Sequence, residues 1–165
     1  MKKYLWPFIR ISIVGLVTWF VVSRCVGINA PIIKKDAPTQ ETLDERVSLP
    51  SGFSISVYAD QLPGARMLRL TRNGDLLVSL PHENKIVLLE KDSDGDGASD
   101  GRRDLIAGLN RPHGLDIHDG WLYIAETDAI GRIRFDEASG RTSGEYRRIV
   151  TGLPAGGNHW SRSLR

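Results

Sequence analysis

Gln61-Leu62-Pro63-Gly64, Gly108-Leu109-Asn110-Arg111-Pro112 and Thr151-Gly152-Leu153-Pro154 share one punctuation, and their leucines are spaced by 47 and 44 residues. Two further markers keep the same period. Gly74-Asp75-Leu76-Leu77-Val78 is echoed 46 residues on by Gly120-Trp121-Leu122-Tyr123-Ile124, and Lys85-Ile86-Val87 is echoed 47 residues on by Arg132-Ile133-Arg134. A period of about 40–50 residues made of short strands belongs to propeller blades. A propeller closes with about 4–8 blades, and the 165 residues hold two repeats and the start of a third. The expected fold is therefore all-β, a partial β-propeller, and the chain is expected to be an N-terminal piece of a longer one.

Within each repeat the strands show as short apolar runs between turn residues. Phe53-Ser54-Ile55-Ser56-Val57-Tyr58-Ala59 alternates and predicts a first strand. Arg66–Leu70, Leu76–Leu80 and Lys85–Glu90 follow, with a hairpin turn at Asn73-Gly74. The second repeat runs through Leu115–Ile117, a turn at His118-Asp119-Gly120, a central strand Trp121–Ala125, then Arg132–Phe135 and an outer strand Tyr146–Val150. No stretch after residue 50 carries a helical stripe.

The amino terminus differs in kind. Lys2 and Lys3 precede an uncharged, mostly apolar run from Ile11 to Val22. This is the pattern of an export signal or signal anchor, and it predicts a transmembrane or signal helix within residues 1–30, membrane contact through residues 4–22, and a periplasmic or otherwise extracytoplasmic protein, inner-membrane anchored or exported. Residues 31–48 are expected to be a polar linker, and 49–165 the incomplete propeller. Net charge is +2, from 22 basic and 20 acidic residues of interspersed sign, which provides no clustered basic face for nucleic acid. With Cys25 alone, no intrachain disulfide can form.

Three groups of residues carry chemistry. Asp92, Asp94, Asp96 and Asp100, with Gly97 at the sixth position, match the front of a calcium loop, where a glycine turn lets several oxygens converge on a hard cation. Arg103 stands where the usual bidentate glutamate belongs, so a full EF-hand is not expected; the choice lies between a weak Ca2+ site and a solvated acidic hairpin. His159, after Gly156-Gly157-Asn158, lies just before the first strand of the third repeat. It reads as a channel-mouth proton acceptor or as a hydrogen-bonded structural histidine. His113 occupies about the same place in the second repeat, where the first repeat has Arg66, and it too is either a pocket or a structural residue. Arg162 is a candidate partner for an acid or an anionic cofactor.

At these residues the chain resembles the glucose/sorbosone dehydrogenase family, six-bladed propeller quinoproteins that use pyrroloquinoline quinone (PQQ). The stretches that carry the resemblance are Leu49-Pro50-Ser51-Gly52-Phe53, Leu109–Leu115, Gly120–Thr127 and Gly157–Leu164. The resemblance implies oxidation of a sugar or sugar-like alcohol or aldehyde. His159 would act as general base, with Asn158 helping to orient its imidazole, and hydride would pass to the quinone. His113 and Arg162 would sit near the cofactor. An electron acceptor such as a quinone or cytochrome would be the partner. The isolated chain is expected to be inactive, because the cofactor clamp and the calcium ligands beside the quinone come from later blades. Two other readings stay open: a membrane-tethered binding or lactonase-like propeller without redox activity, and a calcium-binding extracellular repeat without a pocket.

Overall fold

Among the described residues eight strands form two antiparallel meanders that repeat one plan. The computed structural model describes residues 38–156 and 160–165. β1 (Leu68–Leu70), β2 (Leu76–Leu80), β3 (Lys85–Leu89) and β4 (Arg102–Ile106) make the first sheet, in the order β1-β2-β3-β4. β5 (Leu115–His118), β6 (Trp121–Ala125), β7 (Ala129–Asp136) and β8 (Arg141–Thr151) make the second, in the order β5-β6-β7-β8. Two four-stranded antiparallel meanders, one per repeat, are an all-β, propeller-like arrangement, as the period requires.

The alternation of each strand decides how the sheets meet. Leu77, Ile86 and Leu88 project from one face of the first sheet and pack with Leu115, Leu122, Ile124, Ile133 and Phe135 of the second. Val78, Leu80, Val87 and Leu89 project from the other face, where Tyr58, Ala59 and Leu62 partly cover them. The central strands of the first sheet are thus apolar on both faces, the sequence signature of a sheet stacked between layers. The second sheet turns Leu122 and Ile124 toward the first and Trp121, Tyr123 and Ala125 away from it. Its far face carries Trp121 with Arg132 and Arg134 over the ring, 4.2 and 4.0 Å from its centroid.

The two sheets superpose residue for residue at their inner edges. Arg66 N–H donates to the Ser79 carbonyl at 3.1 Å, and Ser79 N–H to the Met67 carbonyl at 3.0 Å. His113 N–H donates to the Ala125 carbonyl at 2.8 Å, and Ala125 N–H to the Gly114 carbonyl at 2.9 Å. Arg66 and His113 therefore hold the same structural position in successive sheets. The marker spacing drops from 47 to 46 because the β5–β6 connection is one residue shorter. There Asp119 and Gly120 both take positive φ, +48° and +72°, the tight two-residue hairpin turn. At Asn73-Gly74 only Gly74 does, at +97°, in a longer connection.

Two expectations are corrected, and a short helix is added within the linker region. Phe53–Ala59 is not a strand. Phe53 is exposed, and the stretch is tied down piecemeal: Ser56 Oγ donates to the Gly97 carbonyl, Ser99 N–H to the Tyr58 carbonyl, and Tyr58 Oη to the Glu90 carbonyl. Alternation marks a strand only where a neighbouring edge accepts its ladder, and among the described residues none does. The linker is not wholly irregular, since Gln40–Arg46 forms a helix, α1, capped by Thr39, whose hydroxyl accepts from Thr42 N–H. It buries no residue, so no apolar period announces it. The transmembrane or signal helix is also withdrawn. Among the described residues no helix is long and apolar enough to cross a membrane, and residues 1–30, on which it was placed, lie outside the described residues. The inner-membrane-anchored localisation and the membrane contact through residues 4–22 were expectations placed on that helix and are withdrawn with it.

Candidate functional site

The loop Leu109–Gly114 brings the site residues to the inner edge of the second sheet. Its course is fixed by the turn between β2 and β3. Leu109 N–H donates to the Asn84 carbonyl at 3.0 Å, and Arg111 N–H to Asn84 Oδ1 at 3.1 Å. On the other side Asn110 N–H donates to Glu126, and Asn110 Nδ2 to Asp128 at 2.8 Å. Gly114 then hands the chain to β5. Its N–H donates to the Arg162 carbonyl at 3.0 Å, and a Cβ there would collide with the backbone of residues 162–164, so only glycine lets the third repeat approach this closely.

His113 is 1 % exposed, yet among the described residues neither ring nitrogen has a hydrogen-bond partner. Trp160 packs against its ring, centroids 4.2 Å apart and planes tilted by 57°. Two guanidiniums stand over the Trp160 ring. Arg111 lies over the Trp160 ring at 3.3 Å and Arg66 at 5.2 Å, while Arg162 is turned back toward the Pro154 and Ser161 carbonyls. Burial pulls the His113 imidazole down from 6.5 to about 4, and Arg66, Arg111 and Arg162 add to the effect by repelling its charged form. At neutral pH the group is a neutral imidazole with one N–H to give and one lone pair to accept, among fixed cations. A buried polar side chain without a partner is uncommon enough to need an explanation.

A second cluster lies behind the loop. Glu126 is fully buried and accepts from Tyr146 Oη at 2.9 Å and from Arg148 Nε and NH2 at 2.9 and 2.8 Å, besides Asn110 N–H. Burial, followed by the adjacent Glu126 carboxylate, raises the Tyr146 hydroxyl above its ordinary range. The cluster ties β8 to the loop that carries His113.

Of the acidic residues, Asp92, Asp94 and Asp100 each bring an oxygen within 4.8 Å of the others, whereas Asp96 stands outside the group. The turn follows from Gly95 and Gly97, at φ +80° and +86°, whose N–H groups donate to Asp92. The Gly97 bond is the main reason that Asp92 lies below the usual carboxylate range. This donor set of carboxylate oxygens fits a hard cation. The loop is well removed in sequence from His113 and rests instead on Tyr58 and Ser56.

The backbone of Arg162 meets Gly114 beside His113, while Arg66, Arg111 and Trp160 gather about the His113 ring. Asn158 and His159 lie outside the described residues. His118 is exposed beside Asp119, and His82 is an exposed turn residue. The repeat alone pointed to Arg66. Nothing local signals Trp160 or Glu126, whose partners are distant in sequence.

The fold has known counterparts. The chain is similar to the holo form of the pyranose dehydrogenase PQQ domain from Coprinopsis cinerea, at 21 % identity and a TM-score of 0.60 over 70 % of this chain and 28 % of that one. It is also similar to the calcium and iodide structures of Trichoderma reesei Carbohydrate-Active Enzymes Family AA12. The first gives 23 % identity and a TM-score of 0.54 over 63 % of this chain and 26 % of that one. The second gives 22 % and 0.57 over 67 % and 28 %. At such identities the likeness shows the fold alone, and the chain spans between 26 % and 28 % of the length of these structures. No curated protein matches it. A family model described as TrAA12-like matches residues 47–165, well over half the sequence; the chain belongs to the TrAA12-like family.

Proposed function

We propose that this chain supplies part of the cofactor site of a PQQ-dependent oxidoreductase acting on a sugar or sugar-like alcohol, the finer reading that the glucose/sorbosone dehydrogenase resemblance implies. One observation carries it: a buried His113 with both nitrogens unpartnered, flanked by Arg66, Arg111 and Arg162. PQQ is a planar tricarboxylate, and the residues present fit such a group. Arginine forks match carboxylates bidentately, and the neutral imidazole offers a further hydrogen bond. When bound, PQQ supplies the two-electron oxidising chemistry. The chain's own part is to hold the anion, keep His113 neutral and limit water around it. In this reading His159 takes the proton from the substrate hydroxyl, with Asn158 orienting it, and a quinone or cytochrome receives the electrons. The likeness to a structure whose title names a pyranose dehydrogenase PQQ domain supports the same reading.

The test is a calorimetric titration of PQQ into the protein. Saturable binding is expected, weakened about ten- to hundredfold by Arg66→Ala or His113→Ala, the loss of one hydrogen bond to a charged group. Heats unchanged by either substitution would reject the site.

The acidic loop is a separate binding element in this reading. Calcium added to the protein is expected to bind at about 0.1–1 mM, the range of extracellular modules, and Asp92→Asn or Asp94→Asn should abolish the heat. No heat in the parent protein would leave the loop as a solvated hairpin.

A further inference from the structure

Arg111 has a positive φ of +48°, a conformation that disfavours every residue with a side chain except, in part, Asn and Asp. The other repeat shows what the backbone wants there. Gly64 holds the equivalent position, 47 residues earlier, with φ +69°. The second repeat thus keeps an arginine where the turn favours glycine. Strained positions of this kind persist where the side chain has a task. Here the guanidinium carbon lies over the Trp160 ring, 3.3 Å from its centroid, and Trp160 in turn packs on His113. Two bonds donated to Asn84, by Leu109 N–H and Arg111 N–H, hold the turn in place.

We infer that Arg111 is a positioning residue: it accepts an unfavourable backbone to clamp Trp160 as a cover over His113, keeping the imidazole dry for the ligand. The inference rests on the reading of His113 as a site residue and deepens it. The charges acting on the ring are Arg66 from the segment before β1, Arg111 from its own loop and Arg162 from the third repeat. Glu126, at the end of β6, is held by Arg148 and Tyr146. Removing the Arg111 side chain takes away one repelling cation and loosens the cover. Both effects raise the affinity of His113 for a proton.

The decisive variant is Arg111→Gly, which relaxes the turn while deleting the stack. The readout is the titration of the His113 ring protons by NMR, assigned by their absence in His113→Gln. The glycine variant is expected to keep or gain thermal stability while the His113 midpoint rises by roughly one unit or more toward 6.5. Arg111→Lys, which keeps the charge but not the planar stack, should give a smaller rise. A His113 titration identical to that of the parent protein would overturn the inference. So would an unfolded glycine variant, because the guanidinium would then be holding the fold. A parent protein that takes up no quinone would reject the functional reading without moving this result, since the titration needs no ligand.

Discussion

Glu126→Ala is expected to destabilise the protein by about 3–5 kcal/mol, the cost of breaking a buried, fully paired ionic cluster. The carboxylate is wholly buried and receives four donors, from Asn110, Tyr146 and Arg148. Alanine leaves the Asn110 N–H and the Tyr146 hydroxyl without a partner inside the sheet, each at about 1–3 kcal/mol. The Arg148 side chain, 41 % exposed, can recover water, which limits the loss. Glu126→Gln keeps the shape and should cost about half as much, because the bonds to a charged acceptor become ordinary ones. Urea denaturation of the three proteins measures both steps. A Glu126→Ala variant within 1 kcal/mol of the parent would show that the cluster is paired but unimportant. The effect should also reach the site, since Asn110 adjoins Arg111.

The second large effect is loss of stability in mild acid. His113 binds its proton at about 4 in the folded protein, against 6.5 ordinarily. Between those values the unfolded chain holds more protons, so stability falls as pH drops from about 6.5 toward 4 and is fully retained above that window. The shift corresponds to a loss of up to about 3 kcal/mol. His113→Gln should be less stable at neutral pH but flat across the window. Asp92 and Asp136 have lowered carboxylate values, so their stabilisation is lost further down, below the ordinary 3.8, and does not confuse the reading. Denaturation curves from pH 7 to 4.5 decide the matter. A parent protein as flat as the variant would mean that water reaches the imidazole.

What the sequence made legible was whatever repeats. Leu76–Leu80 and Trp121–Ala125 read as strands because each is a short apolar run between turn residues. The shared position of Arg66 and His113 followed from the leucine markers, and the backbone hydrogen bonds to Ser79 and Ala125 bear it out. β4, Arg102–Ile106, was hidden because its residues are largely charged and its order comes from pairing with β3. Phe53–Ala59 misled for the opposite reason, alternating cleanly with no edge to join. Of the candidate site, His113 and Arg162 could be singled out from the sequence, but the cover formed by Arg111 and Trp160 joins residues 49 apart, and the Glu126 cluster reaches β8, 20 and 22 residues on. Such pairings are set by how sheets stack and leave no local pattern.

The most direct measurement is an amide and side-chain NMR map of the protein with and without PQQ. The account requires shifts concentrated on Arg66, Arg111, His113, Trp160 and Arg162, with the acidic loop 92–100 and the Trp121 face unmoved. Shifts confined to that loop or that face, with His113 and Arg66 untouched, would contradict the claim that successive inner strands build one anion-holding mouth.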